Sequence, residues 1–201
     1  MSDFFKTLDK PSPEVLHKDR KSKFFGYAFP ITSEEEIKPI LEVLRKKHPA
    51  ANHVCYAWQL GVDSLTYRAN DDGEPNNSAG MPIYGQIQSY EVTNVLVAVV
   101  RIFGGVKLGV GGLIQAYREG ARLALEASEI VQKTQYAKMK LFFEYPNMNK
   151  VMRILKQHQI DITSQKMELS CELEIAVQKS RLNEIFQLFQ EMQQVTVKRI
   201  P

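Results

Sequence analysis

The chain has 201 residues, of which 44% are hydrophobic and 24% are charged, and its formal net charge is +3. This length suits one large domain or two small ones, and the hydrophobic fraction is ordinary for a globular protein. The longest apolar run, Val95 to Val100, is far shorter than the roughly 20 residues of a membrane-spanning helix. The charged N-terminus does not resemble a secretory signal peptide, so we expect a cytoplasmic protein with no membrane partner.

The cysteines and the charge distribution say little about partners. Cys55 and Cys171 lie far apart, which indicates neither a disulfide framework nor a zinc ribbon. Residues 1–130 carry 15 basic and 16 acidic side chains, whereas residues 131–201 carry 11 and 7. This mild basic surplus fits contact with RNA or a ribosome without requiring it. We expect no cofactor and no sequence-specific binding of DNA.

The first 130 residues alternate between strand and helix patterns. Thr32 and Ser33, followed by three glutamates, form a helix start with a hydroxyl cap and acids in the first turn. The uniformly apolar run from Val95 predicts a strand that is buried on both faces. In chain order we predict two strands within 15–30, a helix ending near 48, a strand at 52–60, a polar loop at 61–82, a short helix at 82–89, a strand at 95–100 and a helix at about 112–127.

A second pattern starts after Glu129. Residues 167–178 alternate between apolar and polar side chains, which is typical of a half-buried strand. The predicted order is strand 136–144, helix from Pro146, strand 160–166, strand 167–178, helix 182–189 and strand 195–198. This β-α-β-β-α-β order is that of ferredoxin-like domains. The sequence therefore predicts an α+β protein with domains at 1–130 and 131–201 and a boundary near 128–134.

Five of the eleven glycines lie in a short segment between an apolar strand and a helix. Glycine lets the backbone approach another surface closely, and a helix N-terminus offers free N–H groups and a positive dipole end. With two basic side chains, this segment makes a plausible anion cradle, although it matches neither a P-loop nor a dinucleotide fingerprint. The candidate binding residues of this glycine loop (residues 104–112, with the preceding arginine) are Arg101, Gly104, Gly105, Lys107, Gly109, Gly111 and Gly112.

Two other interpretations of the glycine loop stay open. The helix that follows carries a stripe of small residues, namely Ala116, Gly120, Ala121, Ala124 and Ala127. Such a stripe lets a helix lie close to a sheet, so the glycines are also explained by packing alone. A small ligand is the third interpretation.

An acidic loop, Asp71 to Pro75, places the carboxylates of Asp71, Asp72 and Glu74 within four residues. The simplest interpretation is a turn, because Asp-Gly and Glu-Pro favour turns. The same carboxylates are weak candidates for a divalent metal site, for acid–base catalysis or for contact with RNA or protein. The basic residues Arg68, Arg101 and Lys107 could neutralise these acids, which would place the two loops side by side and lower the anion affinity of the glycine loop.

His53 and Cys55 lie two residues apart on a predicted strand, so their side chains share one face. Same-face neighbours are roughly 6–7 Å apart at Cα, which is long for the direct contact of a nucleophile with its base. We therefore interpret His53 as structural and assign no catalytic residue.

Several motifs together resemble the YigZ/IMPACT family. They are Ala51-x-His53-x-Cys55-x-Ala57, the acidic loop, Ala79-Gly80-x-Pro82-Ile83, Phe103-Gly104-Gly105-x-Lys107-Leu108-Gly109-x-Gly111-Gly112-Leu113 and Ala116-Tyr117. The resemblance spans roughly residues 15–125, and the two-domain bacterial YigZ type is the nearer likeness. Two positions depart from the family pattern, because Asn77 and Ile102 stand where a glycine and a tyrosine are usual.

The resemblance implies a first domain with the fold of a ribosomal protein domain and of domain IV of elongation factor G, followed by a ferredoxin-like domain of the same factor. It also implies a link to translation, since eukaryotic IMPACT proteins compete for a ribosome-associated activator of a stress kinase. Our leading hypothesis is a non-enzymatic, translation-associated regulator that binds RNA, the ribosome or a ribosome-bound factor. The alternatives are a metal-dependent hydrolase or phosphoryl-transfer enzyme that uses the acidic loop, and a protein-interaction module without nucleic acid.

Overall fold

The computed structural model describes residues 3–200. The chain divides into two compact units. The larger unit runs from Phe5 to Lys133, and the smaller unit joins residues 3 and 4 with residues 134–200. The domain bounds 1–130 and 131–201 stay a prediction. Within the smaller unit, the carboxylate of Asp3 accepts hydrogen bonds from the backbone N–H and the hydroxyl of Ser180.

The elements up to residue 134 are seven strands and three α-helices, with a 3-10 turn at Glu34–Glu36 before the first helix. The strands are β1 (Phe4–Leu8), β2 (Val15–Asp19), β3 (Ser22–Pro30), β4 (His53–Leu60), β5 (Thr66–Asn70), β6 (Val95–Ile102) and β7 (Ile130–Thr134). The helices are α1 (Ile37–Lys47), α2 (Gly80–Ser89) and α3 (Gly109–Glu126). Strands β2, β3, β6, β4 and β5 form an antiparallel sheet in that order, and β1 pairs with β7.

Strand β6 is central, and its burial on both faces is confirmed. Val95, Val97 and Val99 belong to a core that includes buried residues of α2 and α3. The alternate side chains, such as Leu96 and Val100, belong to cores that include buried residues of α1. Helices therefore cover both faces of the sheet, with α1 on one face and α2 and α3 on the other.

Helix α3 approaches the sheet closely at its small-residue stripe, as the sequence indicated. A Cβ atom added to Gly26 of β3 would lie 2.2 Å from the carbonyl oxygen of Gly120. A Cβ atom added to Gly120 would in turn lie 3.0 Å from Cγ1 of Val99. Glycine is required at this crossing because the helix backbone rests directly on the strand.

Three strands were not predicted. The polar loop at 61–82 contains β5, whose first three residues are exposed and which pairs with β4 through its backbone. An exposed edge strand needs no alternating pattern, so periodicity did not reveal it. Strands β1 and β7 pair across more than 120 residues of sequence, and a local pattern cannot show such a pairing.

The smaller unit contains β8 (Tyr136–Glu144), α4 (Met148–Gln157), β9 (Asp161–Lys166), β10 (Ser170–Gln178), α5 (Leu182–Gln190) and β11 (Val195–Arg199), with 3-10 turns at Tyr145–Asn147 and Lys179–Arg181. Its sheet has the strand order β11-β8-β10-β9, and all neighbours are antiparallel. Alternate side chains of the strands form a core with α4 and α5. The predicted strand at 167–178 begins only at Ser170, and Leu169 before it is 92% exposed.

Taken together, the chain has a mixed α/β fold in two units, and the β-α-β-β-α-β order of elements predicted for the smaller one is present. Among residues 3–200, no helix is long and apolar enough to cross a membrane.

Candidate anion-binding pocket

The larger unit contains a pocket of about 430 Å³ where the end of β6, the acidic loop and the start of α3 meet. This volume lies within the range of about 300–1,000 Å³ that is usual for small-ligand sites. The acidic loop and the glycine loop therefore lie side by side. The pocket is lined by Asn52, His53, Glu74, Pro75, Arg101, Phe103, Lys107, Leu108, Gly109, Val110 and Leu113.

Glu74 is the buried acid of the pocket, with a side chain that is 4% exposed. Its Oε1 atom accepts a hydrogen bond of 2.6 Å from Nη1 of Arg101 and one of 2.7 Å from the hydroxyl of Tyr117. Nε2 of His53 lies 3.9 Å from the same oxygen. Removal of one partner leaves the other charge buried and unpaired. Breaking such a buried pair therefore lowers the free energy of unfolding by about 3–5 kcal/mol.

Arg101 was predicted to be a contact residue, yet its side chain is only 8% exposed. The centre of its guanidinium lies 5.6 Å from the ring centroid of Phe24 and 5.4 Å from that of Phe103. Its Nε–H group is buried without an acceptor among residues 3–200. A buried donor without an acceptor costs about 1–3 kcal/mol, so an acceptor brought by a ligand would be favoured here.

Asp71 organises the turn that leads into α2. Its Oδ1 accepts hydrogen bonds from the backbone N–H groups of Ala79 (3.0 Å) and Gly80 (2.8 Å), and its Oδ2 accepts one from Asn77 (2.9 Å). Since α2 begins at Gly80, the carboxylate caps the helix N-terminus, where a negative charge is stabilising. Both oxygens of this acid are therefore used by the fold.

Asp72 ties the acidic loop to the sheet and to α1. Its Oδ2 accepts a hydrogen bond of 2.6 Å from the N–H of Val54, and its carboxylate pairs with Arg45 at 2.8 and 2.9 Å. Its backbone carbonyl lies 2.7 Å from Nδ1 of His53. Because a carbonyl can only accept, Nδ1 carries the proton, which fixes the ring and leaves Nε2 on the side of Glu74.

These contacts favour the turn interpretation of the acidic loop. Asp72, Gly73 and Asn77 all have positive φ values, of 43°, 87° and 60°. Asparagine tolerates the left-handed region better than most residues, which explains how Asn77 stands where the family usually has glycine. Within residues 3–200 no three His, Cys, Asp or Glu side chains are grouped so that they could hold a metal ion.

The glycine loop opens the pocket toward solvent. Gly105 and Gly109 adopt positive φ values of 88° and 74°. Helix α3 begins at Gly109, about one turn earlier than predicted, and no side chain caps it. The first N–H groups of a helix have no partner within it, so this end of α3 presents free donors beside Lys107, which is exposed.

Cys55 and His53 are held separately by the acidic loop. The thiol of Cys55 lies 3.0 Å from the carbonyl oxygen of Asp71, to which it donates. Burial raises the pKa of the Cys55 thiol well above its usual range, and burial likewise raises the pKa of the Tyr117 hydroxyl. Both groups are therefore neutral, and the arrangement favours a structural role for Cys55 and His53 over a nucleophile–base pair.

The sequence did not indicate three contributors to the site. Arg45 on α1 pairs with Asp72, whereas of the expected partners Arg68, Arg101 and Lys107 it is Arg101 that pairs with an acid of the loop, Glu74. Tyr117 supplies the hydroxyl that Glu74 accepts. Phe103, 42% exposed, forms part of the pocket wall. A signal was available for Tyr117, because a tyrosine on a buried helix face needs a hydrogen-bond acceptor.

Comparison with known proteins gives a consistent result. A family model described as the Impact N-terminal domain matches residues 20–125. The IMPACT family member YigZ of Escherichia coli (strain K12) is 34% identical over 145 residues, which cover 71% of each chain. The IMPACT homologue of Saccharomyces cerevisiae is 40% identical over 96 residues, covering 45% of this chain and 36% of the yeast protein.

Among solved structures, the crystal structure of a hypothetical protein superposes on the whole chain with a TM-score of 0.75 and 27% sequence identity, covering 100% of this chain and 99% of that one. The domain match spans more than half of the chain and includes the acidic loop, the glycine loop and most of α3. The chain belongs to the IMPACT family.

Proposed function

We propose that this protein is a non-enzymatic, translation-associated regulator of the cytoplasm, and that it contacts the phosphate backbone of ribosomal RNA with the mouth of its pocket. Membership of the IMPACT family supports a role in translation, since the family resemblance implies one. For the two units we propose the elongation-factor-G-domain-IV-like and ferredoxin-like folds, the second being supported by its strand order.

The observation that carries the proposal is the convergence of anion-binding groups at the start of α3. The uncapped helix end, the exposed side chain of Lys107 and the buried Arg101 all belong to one pocket. The charge of Arg101 is offset by Glu74 at 2.6 Å. The positive potential at the mouth therefore depends on Lys107 and on the helix dipole.

A second basic surface supports the same function. The exposed side chains of Lys150, Arg153 and Lys156 recur along α4, and none of them forms an ion pair with any residue between 3 and 200. By contrast, Lys138 and Lys140 on the sheet are paired with glutamates. We propose that the outer face of α4 supplies an additional phosphate contact, because two weak contacts on one chain give useful avidity.

The metal-dependent enzyme receives less support. The carboxylate of Asp71 accepts three backbone hydrogen bonds, and that of Asp72 is held by Arg45 and Val54. Glu74 is engaged by Arg101 and Tyr117. A hydrolase that used these groups would first have to break the contacts that hold the loop.

Co-sedimentation with purified ribosomes through a sucrose cushion tests the proposal. We expect the wild type to pellet with ribosomes at low salt and to dissociate as salt rises. Lys107→Glu should lose most of this binding. Lys46→Glu is the matched control, because Lys46 is exposed on α1, on the opposite side of the sheet from α3.

Three outcomes would contradict the proposal: no pelleting at any salt, equal loss in both variants, or binding that survives digestion of the ribosomal RNA. The last result would favour a protein partner. Arg101→Ala is not suitable for this test, because it would also break the buried ion pair.

A further inference from the structure

We infer that the pocket takes a single nucleotide of an RNA strand, with the phosphate at the start of α3 and the base against the apolar wall. This inference rests on the proposed function and deepens it, because it names the ligand unit that the pocket recognises. The inference is supported by two kinds of surface within one pocket, namely hydrogen-bond donors and an apolar lining.

The phosphate side is built from donors that the fold leaves open. Helix α3 begins at Gly109 without a capping side chain, so its first N–H groups are free. Arg101 supplies a second, independent indication: it lines the pocket, its side chain is 92% buried, and its Nε–H has no acceptor among residues 3–200. A buried donor that the protein does not satisfy favours a ligand with acceptor oxygens.

The acid in the pocket does not cancel this preference. Glu74 is neutralised by direct contact with Arg101, and the hydroxyl of Tyr117 donates to the same carboxylate oxygen. The remaining charge at the mouth is the ammonium group of Lys107, added to the positive end of the α3 dipole. The pocket thus keeps a net preference for an anion.

Another part of the pocket lining is apolar and partly exposed. Phe103 is 42% exposed and Val110 is 53% exposed, and Leu108 and Leu113 continue the wall inward. Free phosphate would leave this apolar surface uncovered. A nucleotide would cover it, because a base stacks on an aromatic ring and presents its π-face whatever its identity. An anion joined to a flat aromatic group therefore fits both the donors and the apolar lining of the pocket.

Equilibrium titration of the full chain with AMP, adenosine and inorganic phosphate tests this inference, with chemical shifts in the NMR spectrum as the readout. We expect AMP to saturate the pocket and to bind at least about tenfold more tightly than either fragment. Phe103→Ala should weaken AMP binding by about tenfold, and Lys107→Ala should weaken it by about fivefold. Leu65→Ala, which truncates an exposed apolar side chain outside the pocket, should leave the affinity unchanged.

The inference is overturned if AMP binds no better than inorganic phosphate, or if Phe103→Ala binds AMP as the wild type does while its thermal unfolding is unchanged. Ribosome co-sedimentation separates the two proposals. If the wild type shows no measurable AMP binding while Phe103→Ala still pellets with ribosomes, the nucleotide inference is rejected and the proposed ribosome contact is retained. Binding of AMP without any ribosome association rejects the proposed function.

Discussion

The ion pair between Glu74 and Arg101 is the residue-scale feature on which the pocket depends. Both side chains are almost fully buried, and the carboxylate oxygen that binds the guanidinium also accepts from Tyr117. Two aromatic rings, those of Phe24 and Phe103, lie within 6 Å of the guanidinium centre. The pair therefore holds β6, the acidic loop and α3 together, and it keeps Arg101 from acting as a surface cation.

Truncation of this arginine should be costly. Arg101→Ala leaves the charge of Glu74 buried and unpaired, so we expect the free energy of unfolding to fall by about 3–5 kcal/mol. Removing both charges in the double variant Glu74→Gln with Arg101→Met should cost less than Arg101→Ala alone. Urea denaturation of the three proteins measures these differences. A loss below about 1 kcal/mol for Arg101→Ala would show that the pair does not hold the site.

At the scale of elements, the crossing of α3 over β3 sets the position of the glycine loop. Gly26 and Gly120 meet where the helix backbone rests on the strand. The helix that begins at this loop is thereby fixed against the sheet. The small residues of α3 and the glycines of the loop consequently have different roles. The small residues of α3 allow close packing on the sheet, whereas Gly105 and Gly109 provide the positive φ values of the turn.

Two glycine-to-alanine substitutions distinguish the effect of a steric clash at the helix–sheet crossing from the effect of helix propensity. A Cβ at Gly26 would lie 2.2 Å from a backbone oxygen, so we expect Gly26→Ala to lower the free energy of unfolding by about 3 kcal/mol. Gly85 lies within α2 and has no atom within 4 Å of an added Cβ. Gly85→Ala should therefore be neutral or stabilising by up to about 1 kcal/mol. Equal effects of the two changes in thermal or urea unfolding would contradict the close crossing.

Elements with a clear local signal were predictable from the sequence. The apolar run of β6, the capped start of the α1 region and the stripe of α3 each reflect a pattern within one segment. Strand β5 was missed because its exposed residues show no alternation, and β1 and β7 were missed because they pair across more than 120 residues of sequence. Within the site, the proximity of the two loops was foreseen, but the burial of Arg101 was not, because burial depends on the tertiary packing of Phe24 and Tyr117.

At the scale of the whole molecule, we propose a main RNA contact in the larger unit and an additional contact in the smaller one. The net charge of +3 is small, so long-range attraction to RNA is weak and the local groups matter more. Among residues 3–200, Lys107 at the mouth of the pocket and the three cations of α4 form no ion pair, so their positive charge stays available to a phosphate. Binding to ribosomes should accordingly be weak, additive and sensitive to salt.

The measurement that tests this account most directly is the salt dependence of the dissociation constant for purified ribosomes, compared between the wild type and Lys107→Ala. We expect the logarithm of the affinity to fall linearly with the logarithm of the salt concentration, and we expect Lys107→Ala to reduce this slope by about one. Lys46→Ala should keep the slope of the wild type. An affinity that does not change with salt, or a slope that Lys107→Ala leaves unaltered, would contradict the claim that the mouth of the pocket binds an RNA phosphate.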